Sequence, residues 1–351
     1  MEAKRHSEFN VTSSVTDDVW HPSSGAEAYE WWYFDAMSDD GRDSVVVIFL
    51  DNFIFSPRYN AHSASSASRP KRFPALALFY YRDGRPLFRA INEFAEKDFE
   101  ASTSTPQCRI GPNSFELTHE GGELRYRLSL RGLMSGGSTV NADLEWVARE
   151  RTEFRPNSTP TIIGHNWNLV MPRARVTGTF EFSDREGFVF QGDGYHDHNH
   201  DRRWMPSVIK EWQWGRAHFK DSTAVVYDYL TAEGRRVSKI IRATDDALTV
   251  EDAVLKSESR RFDIFGLRHP VRAEYKTESG ITVSLRSLTV ADSSFFYVRR
   301  VAEMGLSIAG KECETARGLS EFLVPSPLRW RWLDRLVDMR IGRHGKGAKL
   351  K

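Results

Sequence analysis

Residues 25–55 read GAEAYEWWYFDAMSDDGRDSVVVIFLDNFIF, and this stretch sets the fold class. Aromatic and β-branched residues crowd 30–37 and 44–55, the residue types that suit a pleated surface. Ser38-Asp39-Asp40-Gly41 between them offers turn residues, so an antiparallel hairpin is predicted. Residues 45–50 are apolar without alternation, which predicts a strand covered on both faces. Pro57 closes it, and the serine-rich, basic stretch 62–72 is expected to be a loop near one mouth of the fold.

The same punctuation continues outward. Strands are predicted at 73–81 and 87–94 around Asp83-Gly84. Leu124, Tyr126, Leu128 and Leu130 alternate after Gly121-Gly122, and further strands are predicted at 140–147, 162–171 and 174–182. Beyond residue 220 the pattern predicts 222–230, 236–242, 247–255, 261–267, 271–277, 281–291, 295–304 and 318–322. No long helical pattern precedes residue 327, which sets aside Rossmann and TIM-barrel readings and predicts an all-β, antiparallel architecture. Two modules account for the length: 25–183 and 184–325, closed by an amphipathic helix at 326–342. Ser326 caps that helix, Pro327 suits its first turn and Gly342 stops it. Residues 1–25 are polar and are expected to trail until an edge or end of the fold captures them.

Composition narrows the function. With 49 basic against 48 acidic residues and a formal charge of +1, no basic footprint for nucleic acid is evident. Ten tryptophans, 11 tyrosines and 22 phenylalanines suit a sheet-rich fold, an aromatic cavity, or both. Cys108 and Cys313 form neither a metal pair nor a redox motif. There is no GxGxxG, P-loop, HExxH or GxSxG motif. The opening residues have no signal-peptide pattern and the strongest apolar run is too short to span a bilayer, so a cytoplasmic location is expected. The arginine-rich final helix covers a barrel end or makes peripheral contact with the inner face of a membrane.

The chemistry concentrates in residues 193–229, DGYHDHNHDRRWMPSVIKEWQWGRAHFKDSTAVVYDY. In an extended strand His196, His198 and His200 share one face, and Tyr195, Asp197 and Asn199 share the other. Three ligands in sequence along one strand seldom converge on a metal, so none is expected. Asp35 shares a face with Trp31 and Tyr33, Asp228 lies between Tyr227 and Tyr229, and Asp197 lies between two histidines. His165 shares a phase with Trp167.

EWWYFDAMSDDGRDSVVVIFLDNFIFSPRY resembles the opening strands of the carotenoid 1,2-hydratase (hydroxyneurosporene synthase) family. GDGYHDHNHDRR followed by EWQWGRAHF is similar to a second signature of the same superfamily, which also holds AttH-like proteins and Diels–Alderase-type pericyclases. The resemblance spans roughly residues 25–325. It implies tandem lipocalin-like (calycin-like) β-barrel modules, an apolar cavity, and chemistry on a hydrophobic polyene or isoprenoid without a cofactor. Hydration of an alkene needs a protonated acid, a site for water and rings that stabilise a cation. The expected catalytic residues are Asp35 or Asp228 as acid, with His196 or His198 holding water or orienting that acid. Trp31, Tyr33, His165, Trp167, Tyr195, Trp212, Trp214 and Tyr227 are expected to shape the cavity. Pericyclase chemistry and non-catalytic carriage of an apolar metabolite remain the alternatives.

Overall fold

The computed structural model describes residues 9–23, 25–63, 72–149, 164–309 and 312–343. Most of the loops expected at 62–72 and 149–161 lie outside the described residues.

Twelve strands precede residue 202: β1 (Phe9–Thr12), β2 (Tyr29–Ser38), β3 (Asp43–Leu50), β4 (Ala75–Arg82), β5 (Arg85–Glu93), β6 (Phe99–Ala101), β7 (Gln107–Ile110), β8 (Asn113–Glu120), β9 (Glu123–Leu133), β10 (Thr139–Ala148), β11 (His165–Phe182) and β12 (Phe188–Asp201). Eight follow: β13 (Ile209–His218), β14 (Thr223–Thr231), β15 (Arg236–Ala243), β16 (Leu248–Phe262), β17 (Arg268–Thr277), β18 (Thr282–Ser293), β19 (Tyr297–Ser307) and β20 (Glu314–Leu323). A last short strand, β21 (Gly342–Arg343), returns to the edge of β5. The first sheet runs β21-β5-β4-β3-β2-β12-β11-β10-β9-β8-β7-β6, with β1 on β11 in parallel, and β13–β20 close into a barrel. The architecture is thus the expected pair of lipocalin-like modules, the first a curled sheet and the second a closed barrel.

The strand reading needs five corrections. β12, assigned to the second module by the division at 183/184, pairs between β2 and β11 of the first sheet; in strand pairing the modules therefore meet across 202–208. The two strands expected at 162–171 and 174–182 are one long strand with register shifts on either side of Met171, where Pro172 cannot donate to a ladder. The strand expected at 261–267 is largely a turn, with Asp263 Oδ1 accepting from the Phe265 and Leu267 amides. The polar start is captured well before residue 25: β1 is held by β11, and Asp18 is buried. Finally, the closing helix is broken into a turn at Ser326–Arg329 and one short helix, Asp334–Asp338. That segment has to follow the rim of a cavity and end in pairing with β5, a path that a straight helix would not take.

Two adjacent strands place everything that follows. β2 and β12 pair without a register shift from Gly192↔Ser38 to Asp201↔Tyr29. Even-numbered Trp32, Phe34 and Ala36 enter the interior of the first module with Phe115, Tyr126 and Trp146. Odd-numbered Trp31 and Tyr33 face outward onto Trp214, Tyr227 and Leu319 of the barrel. Both faces are buried, and each large ring removed from water contributes roughly 1.5–3 kcal/mol. Gly194 is required by the crowding, since a Cβ there would sit 2.3 Å from Val176 and 2.6 Å from the Trp146 indole nitrogen. The barrel fills its own interior with Val226, Ile240, Tyr275, Val283 and Met304. Among the described residues no helix is long and apolar enough to cross a membrane.

Candidate active site

A cavity of about 420 Å³ lies between the modules rather than inside either one. Trp31, Tyr33, Ile48, Leu50, Ala77 and Phe79 form one wall. Trp212, Tyr297, Arg299 and Glu321 form the other, and Leu336, Val337, Met339, Arg340 and Ile341 close one side. Several of its polar groups are paired, two of the bonds crossing the interface. Tyr33 donates to Glu321 at 3.2 Å, Arg299 Nε donates to Glu321 at 2.8 Å, and Arg299 Nη1 reaches the Tyr81 hydroxyl at 2.9 Å. The Tyr297 hydroxyl is buried with no hydrogen-bond partner among the described residues.

Behind Trp31, Tyr33 and Trp212 lies a second layer centred on Asp197. Its Oδ2 accepts from the Tyr195 hydroxyl at 2.6 Å and the Trp167 indole at 2.9 Å, and its Oδ1 accepts from Asn199 Nδ2 at 2.8 Å. Burial pushes the carboxyl up while the Tyr195 and Trp167 bonds pull it down, leaving it at about 7. Asn199 Nδ2 donates to Asp197, so its oxygen faces His165 Nε2 at 3.0 Å, a nitrogen that also lies 2.8 Å from the Tyr227 hydroxyl. An acceptor there requires the ring hydrogen on Nε2, which leaves Nδ1 to accept from Tyr29 at 3.4 Å. Burial holds His165 down at about 4, so the ring is neutral at physiological pH. Trp212 meets Tyr227 at 5.6 Å between ring centroids, Tyr227 meets Trp167 at 4.5 Å, and Tyr33 meets Tyr195 at 6.3 Å. One layer of rings therefore separates the cavity from the Asp197 carboxyl.

The structure sorts the expected residues into three places. Trp31, Tyr33 and Trp212 line the cavity; His165, Trp167, Tyr195, Trp214 and Tyr227 gather in the layer around Asp197. Asp35 reaches the inter-module face but is tied to Arg216 of β13, both fully buried. His196 and His198 lie elsewhere. Strand alternation sends them into the first module, where His196 stacks on Phe34 and bonds Asp18 at 3.1 Å, and His198 bonds Glu30 at 2.7 Å. Asp228 points into the barrel, held by Arg236, Ser238 and Tyr275. The expectation that these three face the cavity is thus corrected: the grouping by face holds, but the odd face of β12 is the one turned toward the cleft between the modules.

A profile of the family described as "Carotenoid hydratase CrtC" matches residues 46–349. The chain belongs to the carotenoid hydratase family. Within curated proteins it is 28% identical to a hydroxyneurosporene dehydrogenase of Chlorobaculum tepidum, over 97% of this chain and 94% of that one. It is 27% identical to an acyclic carotenoid 1,2-hydratase of Rubrivivax gelatinosus, over 57% of this chain and 48% of that one. Among solved structures it is similar in fold to an AttH-type protein of Nitrosomonas europaea (TM-score 0.59, 13% identity, 88% and 95% of the two chains) and to CghA (TM-score 0.55, 12% identity, 90% and 96%).

In this carotenoid hydratase family member, four charged groups join these networks; sequence reasoning passed over three of them and set Glu30 aside because it lies at the start of its element. Arg299 and Glu321 are the paired charges of the cavity wall, and a phase shared with Val301 and with Leu319 and Leu323 was their only signal. Asp18 and Glu30 hold the histidines. The ligand atoms of His21, Glu30 and His198 come within 4.8 Å of one another, close enough to share an ion. They also satisfy each other directly, His21 Nδ1 lying 3.0 Å and His198 Nε2 2.7 Å from Glu30 Oε1.

This network makes stability depend on pH. Burial alone would push His198 down, but bonds to Asp18 and Glu30 outweigh it and hold the ring up at about 9. A raised histidine contributes stability that is complete below its ordinary 6.5 and is lost as pH rises through about 9. Glu30 works in the opposite direction: burial would raise it, but His198 and His21 hold it well below its ordinary 4.5, so its contribution disappears on acidification. The thermal midpoint of the wild type is expected to fall between pH 6.5 and 9 more steeply than that of His198→Gln. Parallel pH dependences would contradict this assignment.

Proposed function

We propose that this chain adds water across a terminal trisubstituted alkene of an acyclic carotenoid or similar isoprenoid polyene, with Asp197 as the proton donor. The observation that carries this reading is a buried carboxyl at about 7, held by three donors and one ring layer from an apolar cavity. A carboxyl at that value is half protonated near neutrality, where an ordinary aspartate is ionised. Oδ2 has both lone pairs engaged by Tyr195 and Trp167, so the transferable proton belongs on Oδ1. The alkene end must pass between Trp31, Tyr33 and Trp212 to meet Oδ1, and transfer to its less substituted carbon then leaves a tertiary cation. The faces of Trp212, Trp214 and Tyr227 stabilise that cation as they would a bound ammonium. Water then adds to the cation, and the Asp197 carboxylate recovers a proton from it, which closes the cycle. Neutral His165 orients the cluster through Asn199.

Two sets of measurements test this. Incubation with an acyclic carotenoid is expected to yield a product heavier by one water mass. An unchanged mass at a new retention time would mean cyclisation, and recovery of substrate alone would mean carriage. The pH profile tests the acid itself: turnover is expected to fall above about pH 7 as Asp197 ionises. Tyr195→Phe removes a bond that favours the ionised form, so the carboxyl must rise and the alkaline limb must move upward by roughly 1–2 pH units. A purely structural tyrosine would lower activity without moving that limb.

A further inference from the structure

The exposed apolar side chains are not scattered. Of the nine large ones among the described residues, six are Phe262, Ile264, Trp330, Trp332, Leu336 and Met339. They belong to two segments that meet at the rim of the cavity. Phe265, which lines the cavity, packs on Phe295 at 5.1 Å, and Phe295 packs on Trp332 at 5.6 Å. Trp330 stacks on Trp332 at 6.1 Å. Ile264 is 90% exposed and Trp332 60% exposed, so these groups stand in water at a cost that nothing in the fold offsets.

Basic groups surround them. Arg329, Arg331, Arg335 and Arg340 are all exposed in the same segment, and residues 326–351 hold eight Lys and Arg against two Asp. An apolar face with tryptophans and an arginine rim suits the headgroup–acyl boundary of an anionic bilayer. A water-soluble protein partner would not explain why this face surrounds an apolar opening.

We infer that this rim is a membrane-docking surface that seats the cavity mouth on an anionic lipid bilayer, from which the apolar substrate enters. The docking rests on the patch alone; the identity of what enters rests on the proposed hydratase reading. A cavity of about 420 Å³ is of the size that encloses a drug-sized molecule. A long polyene would therefore place one end near Trp31 and Trp212 and leave the rest at the mouth, where lipid tails solvate it better than water does.

The test uses the full chain and the variant Ile264→Ser/Trp330→Ser/Trp332→Ser. None of these side chains lines the cavity. Wild type is expected to sediment with phosphatidylcholine vesicles containing roughly one-third phosphatidylglycerol, and less with phosphatidylcholine alone. The triple variant is expected to partition about tenfold less, with an unchanged melting curve. It is expected to turn over detergent-dispersed carotenoid at the wild-type rate and vesicle-embedded carotenoid more slowly. Arg331→Glu/Arg335→Glu is expected to remove the preference for anionic lipid. Wild type remaining in the supernatant with both vesicles, or equal sedimentation of the triple variant, would overturn the inference. So would a wild-type dimer that the triple variant dissolves and that ignores vesicles. Absence of product in every assay would refute the hydratase reading and leave the sedimentation result to decide docking.

Discussion

Asp197→Asn is expected to lower turnover of an acyclic carotenoid by about 10²–10⁴-fold, the contribution of a positioned general acid, while substrate still binds. Asparagine keeps the size of the side chain and an oxygen for the Tyr195 and Trp167 donors, but it has no proton to transfer. Binding can be followed through the cavity tryptophans, because Trp31 and Trp212 line the space a polyene would occupy and their emission should be quenched by it. Retained quenching with lost turnover separates chemistry from binding. Turnover within about tenfold of wild type would remove Asp197 from the role. Asp35→Asn is the internal comparison: Asp35 is also raised by burial, but the Arg216 guanidinium opposes that and holds it in an ion pair. Its loss is expected to affect stability far more than the chemical step.

That ion pair carries the second large effect. Asp35 and Arg216 join β2 to β13 across the module interface, with neither side chain reaching water. The pair is under-bonded: Asp35 Oδ2 and Arg216 Nε and Nη1 have no hydrogen-bond partner among the described residues. Removing either member alone, as in Arg216→Met, strands a buried charge and is expected to destabilise the protein by about 3–5 kcal/mol. Removing both, as in Asp35→Leu/Arg216→Met, should recover most of that loss, because two desolvated and poorly bonded charges are replaced by apolar contacts with Tyr33, Trp214 and Leu319. Denaturant midpoints of the four proteins form the cycle that checks it. A double variant as unstable as the sum of the singles would show that the pair itself stabilises the interface.

Much of the fold was legible because strands announce themselves locally. The pattern of 124–130 gave β9, and the unbroken apolar run at 45–50 announced β3 as covered on both sides. The parity of β12 was legible too, since alternation alone separates His196 and His198 from Tyr195 and Asp197. Which parity faces the cavity was not. Residues 194–199 are buried throughout, so no amphipathic contrast marks one face as functional, and three histidines attract attention more readily than one aspartate between them. Asp18 was invisible for a different reason: it bonds His196, 178 residues away, and a polar segment gives no local sign of such a partner. The final segment carried a helical pattern, but a helix of a few turns is marginal without tertiary support. Here the support comes from a curved rim and from the edge of β5.

The shared wall of β2 and β12 also bears on how such a protein can change. Neighbouring residues along these strands answer to separate demands, one to the interior of a module and the next to the cleft. Substitutions at odd positions can therefore reshape the cavity between the modules while the even positions keep the scaffold. A single inserted residue would exchange the two sets beyond its position. Divergence along this wall is consequently channelled into replacement in place, with lengthening and shortening left to the connections around it.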